Sequence, residues 1–178
     1  KNQNKMKAIK INLYNLNTLL TKSSREIKNL FVHCTAGWQN ETNEELFNGF
    51  KSQGWKNPGY HVTIDADGTA WLLQAPSLIA NGVAGNNSNS LHISYKGGVA
   101  KSGAAKDKGK LLPVDNRTPA QKATLILILK HWRSQYPNAR ILGHRDISPD
   151  KNKNGKVDSW ERIKECPCFD AIPEYATV

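Results

Sequence analysis

Two of the five histidines close short apolar runs: His33 ends "NLFVH" (29–33) and His144 ends "ARILGH" (139–144). Two of the three cysteines flank a proline near the C-terminus, in "KECPCFD" (164–170). Neutral imidazole and thiolate are donors that Zn²⁺ prefers, and three protein donors leave the fourth position that distinguishes catalytic from structural zinc. Strand ends suit the task, because a rigid sheet presents their side chains into the cleft beyond it. Cys34 adjoins His33, and neighbours on a strand point to opposite faces, so Cys34 reads as a buried structural thiol. Cys166 and Cys168 are not separated by that argument. Residues two apart in an extended segment share a face, and the intervening proline biases Cys166 toward extended backbone without choosing between them.

The rest of the chain has to position these groups. Its 178 residues suit one domain able to bury a core, and 38% hydrophobic content with five tryptophans argues against disorder. A net charge of +10 draws the protein toward polyanions such as nucleic acid, anionic membrane or anionic cell-wall polymer. Three cysteines cannot make the multi-bridge framework of a small secreted domain. The most apolar run, "ATLILILKHW" (123–132), is too short to span a bilayer, and "KNQNKMKAIKINLYNL" lacks the apolar core of a signal peptide. Met6, the only methionine, reads as a natural start, with Lys1 to Lys5 a remnant or processing scar; a signal removed before residue 1 would leave no trace here.

Residues 1–28 are polar and read as an N-terminal arm with short apolar anchors. "NLFVHCT" (29–35) reads as a buried strand. Thr42 and Glu45 make a capping box for a helix to about Ser52, with Leu46, Phe47 and Phe50 on one face and Gly54 ending it. "GYHVTI", "DADG" and "TAWLL" (59–73) read as a β-hairpin. Loop formers follow, then a strand in "LHISYKGG" (91–98) and a basic, flexible loop in "VAKSGAAKDKGK" (99–110). Thr118, Pro119 and Gln121 open the longest helix, to about Tyr136, and "ARILGH" is the final strand. The order implies one α/β (α+β) domain, residues 29–178, with a central mixed sheet of about five strands flanked by helices.

"FVHCTA" (31–36), "GYH" (59–61), the hairpin with "DG" at its turn, "TPAQ" (118–121), "GHRD" (143–146) and "KECPCFD" together resemble the zinc-dependent N-acetylmuramoyl-L-alanine amidases. The bacteriophage lysozyme-type amidases are most similar in pattern, and peptidoglycan-recognition proteins share the fold. The motifs keep one order over residues 29 to 172. The resemblance implies His33, His144 and Cys166 as zinc ligands, puts Cys168 at a variable position, and implies Tyr60 and Lys164 as catalytic residues. It implies metal-assisted hydrolysis of the amide between N-acetylmuramic acid and L-alanine, with Lys164 or Tyr60 stabilising the oxyanion. His61, His92 and His131 have no metal partner by spacing, and Arg145 and Asp146 read as braces for the loop after His144. Gly82 and Val83 depart from the pattern, standing where several relatives have a histidine.

The implied partner is bacterial peptidoglycan, met after secretion or after release from the cytoplasm at lysis, by a protein read as a monomer. A non-catalytic peptidoglycan-binding module is the alternative, disfavoured because Cys166 and Lys164 are both present. No nucleic-acid motif accompanies the basic loop, so no nucleic-acid partner is expected. One further pattern stands apart. "DKNKNGKVDSWE" (150–161) matches a calcium loop, with Asp150, Asn152, Asn154, the Lys156 carbonyl, Asp158 and Glu161 as oxygen donors and Gly155 at the turn. It reads as an insertion that holds Ca²⁺ weakly and fixes a helix from Asp158 to Glu165.

Overall fold

In a computed structural model that describes residues 6–107 and 109–178, with the backbone alone at Asp107, the expected sheet has six strands. Lys1 to Lys5, and Lys108 of the basic loop, lie outside the described residues. The elements are β1 (Ile9–Ile11), α1 (Leu16–Leu19), β2 (Asn29–Cys34), α2 (Asn43–Ser52), β3 (Val62–Ile64), β4 (Ala70–Leu72), β5 (Ser90–Tyr95), β6 (Val99–Lys101), β7 (Leu111–Pro113), α3 (Pro119–Gln135), β8 (Arg140–Gly143) and α4 (Ala171–Glu174). The sheet runs β1-β4-β3-β5-β2-β8, antiparallel across β1, β4 and β3 and parallel from β3 through β8. The sixth strand comes from the N-terminal segment, whose Ile11, Leu20 and Ile27 are buried anchors.

β2 and β5 are buried on both faces, and their alternation divides the molecule. Leu30, Val32 and Cys34 face one way with Leu91, Ile93 and Tyr95, against Leu125, Ile128, Leu129 and Trp132 of α3. Those α3 positions recur at helical spacing, and each fully buried Leu or Ile among them contributes roughly 1.5–3 kcal/mol. The α3 capping box forms as expected, and Gln121 also donates its amide to the carbonyls of Ile64 and Lys96. That contact ties the helix start to the ends of β3 and β5.

The other face carries Phe31 and His33 from β2, paired in register with His92 and Ser94 of β5. Phe31 packs there with Val83 and Leu142. The α2 capping box also forms, and Leu46, Phe47 and Phe50 pack with Leu73, Trp55 and Tyr60 beside this face. One expectation is corrected: β6, at the start of the stretch read as a flexible basic loop (99–110), pairs as an antiparallel hairpin with β7, which follows directly after that stretch.

Candidate metal centre

β2 and β8 are parallel neighbours in a register that pairs Val32 with Gly143, so His33 and His144 leave the same carboxyl edge of the sheet side by side. Their ring centroids are 5.0 Å apart in an edge-to-face arrangement. His144 opens a tight 3₁₀ turn (His144–Ile147), which Asp146 braces by accepting the Gly143 N–H at 2.7 Å. Arg145 is buried and pairs with Asp170, and its N–H donates to the Cys166 carbonyl at 2.8 Å. Arg145 therefore fastens the segment that carries Cys166 to the turn that begins at His144.

Cys166 Sγ stands 3.7 Å from His33 Nδ1 and accepts the Cys34 N–H at 3.3 Å. Donor atoms of His33, His144 and Cys166 lie within 4.8 Å of one another, the one such cluster of three among the described residues. Cys168 turns away. Its Sγ rests 3.9 Å from Cys34 Sγ and 3.5 Å from the Gly98 carbonyl, on the core side of β2. Backbone direction thus separates the two thiols, since Cys168 adopts φ +73° and breaks the extended geometry that would put both on one face.

Tyr60 and Lys164 line the same cleft, a cavity of about 570 Å³ that adjoins a second of about 460 Å³ across Trp55, Gly82 and Lys164. The Tyr60 ring lies 5.2 Å from that of His33 and its hydroxyl reaches the Cys34 carbonyl at 3.4 Å. Burial, then the neighbouring Cys166 and Cys34, push the Tyr60 phenol well above its ordinary pKa, so it keeps its proton. Lys164 is exposed at the rim. Burial holds the His33 pKa well below the usual histidine value, helped by the charges of His144 and Lys164. Burial and Lys164 lower His144 to about 4. Both imidazoles are neutral near pH 7, the form that offers a lone pair to a metal.

His61 is also held neutral, its pKa lowered to about 4 chiefly by burial. In the unfolded chain it gains a proton near pH 6.5, in the folded protein only near 4, so stability is complete above 6.5 and lost as pH falls through that window. His61 alone then costs the fold about 2 kcal/mol by pH 5, and His33 and His144 act in the same direction. Chelator-treated protein is expected to melt about 5 °C or more lower at pH 5 than at pH 7.5. A melting temperature unchanged over that interval would show that these imidazoles are not buried in the neutral form.

In the calcium-like loop the carboxylates accept hydrogen bonds from the loop's own N–H groups and side-chain amides. The Asp150 carboxylate accepts the N–H groups of Asn154 and Gly155, and Asp158 accepts the side-chain amides of Asn152 and Asn154. Glu161 is buried and accepts the N–H groups of Lys151, Asn152 and Asp158. The Lys156 ammonium sits 3.7 Å from Asp158, supplying positive charge from within the chain. The geometry therefore lends Ca²⁺ no support. The helix expected over 158–165 is a single 3₁₀ turn, Ser159–Glu161.

His92, set aside on spacing, is the residue that sequence reasoning missed. It is fully buried with its Nδ1 3.0 Å from His33 Nε2. The signal was present in β5, where Ser90, His92 and Ser94 alternate with Leu91, Ile93 and Tyr95, giving a strand with one polar and one apolar face.

Residues 23–159 match the family model Amidase_2, described as N-acetylmuramoyl-L-alanine amidase. The endolysin of Enterobacteria phage K11 is 32% identical over 148 residues, covering 82% of this chain and 93% of that protein. In fold, the chain is similar to the N-acetylmuramoyl-L-alanine amidase LysCS from Clostridium intestinale URNW, with a TM-score of 0.61 at 21% identity over 86% of this chain and 83% of that one. A Drosophila peptidoglycan recognition protein, PGRP-SD, superposes with a TM-score of 0.57 at 14% identity, over 89% of this chain and 85% of that one. With a family model matched over most of its length and a phage endolysin aligned nearly end to end, the chain belongs to the N-acetylmuramoyl-L-alanine amidase family.

Proposed function

We propose that this protein hydrolyses the amide between N-acetylmuramic acid and L-alanine in peptidoglycan, using a zinc ion held by His33, His144 and Cys166. The observation that carries the reading is the convergence of two neutral imidazoles and one thiol in an open cleft of an amidase-family chain. The donor set fits the metal, since two nitrogens and one sulfur satisfy a borderline-soft ion and three ligands are the number typical of catalytic zinc. Zinc bound there supplies Lewis-acid chemistry, lowering the pKa of water to roughly 7. The chain's own groups do the rest. Lys164 places an ammonium at the cleft rim, where negative charge develops on the scissile carbonyl oxygen, and the protonated Tyr60 phenol, lining the same cleft, donates a hydrogen bond.

We assign residues 29–178 to the catalytic unit, with 1–28 as an N-terminal arm, of which Ile9–Ile11 pair at the sheet edge, and 150–161 as an insertion. The substrate lies in the bacterial wall, and the kinship with phage endolysins supports release at lysis as the route to it. Incubated with purified wall, zinc-loaded protein is expected to release stem peptides carrying a free L-alanine amine, and a chelator is expected to stop the release. Wall that binds the protein yet gains no such amine would replace the enzyme by a binding module. Cleavage undiminished by chelator would remove the metal from the mechanism.

A further inference from the structure

Resting on the metal reading above, we propose that His92 is a positioning residue that accepts a hydrogen bond from His33 Nε2 and thereby presents His33 Nδ1 to the metal. His33 has its Nδ1 toward Cys166 Sγ, at 3.7 Å, and its Nε2 toward His92 Nδ1, at 3.0 Å. Neutral imidazole carries one ring proton, so a lone pair free at Nδ1 puts the proton of His33 on Nε2. His92 Nδ1 is the acceptor in reach, which fixes both the tautomer and the ring plane of His33.

His92 is held to this task from every side. Its ring is stacked between Phe31 (centroids 5.5 Å apart, planes 8° apart) and His61 (5.7 Å, 5°). The backbone N–H of His92 donates to His61 Nδ1 at 3.0 Å, which places the His61 proton on Nε2, 2.9 Å from the Leu78 carbonyl. His61 thus braces the strand at His92 without competing for its Nδ1. Gly82 completes the enclosure: a Cβ there would stand 2.3 Å from His92 Nδ1, so only a residue without a side chain leaves room for the ring.

Stability alone does not explain an imidazole in this slot. With Nδ1 accepting from His33, His92 carries its proton on Nε2, which has no hydrogen-bond partner among the described residues. A buried unpartnered N–H is unfavourable, and phenylalanine would stack between Phe31 and His61 without that cost. What histidine offers over phenylalanine is the acceptor at Nδ1.

The test measures zinc affinity, by competition with a chromogenic chelator, alongside the far-UV spectrum and melting temperature. His92→Phe keeps the stack and removes the acceptor, and is expected to weaken zinc binding about 10–100-fold. His92→Asn puts a carbonyl oxygen near the position of Nδ1 and is expected to bind zinc close to the parent's affinity. Gly82→Ala, whose added Cβ would meet the His92 ring first, is expected to weaken zinc binding by displacing His92. Parent-like affinity in His92→Phe, or equal losses in His92→Phe and His92→Asn, would overturn the proposal and leave the metal reading standing. A parent that binds no zinc would remove both. One readout needs no variant: in the zinc-loaded parent, ¹⁵N shifts are expected to show His92 protonated at Nε2 and bare at Nδ1. A proton on Nδ1 would overturn the assignment.

Discussion

Cys166→Ser is expected to lose its zinc and to take wall hydrolysis down by at least about 1000-fold, the several kcal/mol that a metal contributes to a charged transition state, while Cys168→Ser keeps both. The two thiols stand in different surroundings despite their spacing. Cys166 Sγ faces His33 Nδ1 across the cleft edge, whereas Cys168 Sγ faces the Gly98 carbonyl and Cys34 beneath β2. A serine hydroxyl is a poor substitute for thiolate toward a borderline-soft cation, because it stays protonated near neutral pH and offers a harder donor. At position 168 the same hydroxyl can still donate to the Gly98 carbonyl, so the change costs little. Metal content by mass spectrometry and release of dye from labelled wall check both halves. Zinc retained in Cys166→Ser, or lost in Cys168→Ser, would reverse the assignment.

That contrast shows what local sequence could and could not carry. His33 and His144 were legible because each closes an apolar strand, and the parallel pairing of β2 with β8 then sets them side by side. The choice between Cys166 and Cys168 was not legible from spacing. It depends on the positive φ at Cys168 and on the Arg145 N–H that holds the Cys166 carbonyl, and both follow from tertiary packing. β1 was hidden because Ile-Lys-Ile alternates as a strand does but is too short for the alternation to stand out. The β6–β7 hairpin was hidden for a related reason: its strands are three residues long and exposed or half-exposed, so no buried face imposes alternation on them. The calcium pattern is legible in the sequence but gains no support from the loop's geometry. Its residue types are all present, yet Asp, Asn and Glu are also the side chains that best satisfy the backbone N–H groups of a tight loop, and here they do so.

Lys164→Met is expected to lower kcat by about 100–1000-fold while zinc content and KM stay near the parent's values. Methionine keeps most of the aliphatic stem and removes the ammonium. The Lys164 charge is close enough to lower the pKa of both His33 and His144, so its field reaches the candidate ligands. The same field acts on a carbonyl oxygen bound beside them, and it acts more strongly as negative charge builds there. An interaction that strengthens only in the transition state lowers kcat when removed and leaves ground-state binding alone. Lys164→Arg keeps the charge on a longer, planar head and should restore part of the rate. Retained zinc separates this variant from Cys166→Ser, where metal and rate disappear together. A rise in KM at unchanged kcat would make Lys164 an anchor for the anionic wall rather than the partner of the oxyanion.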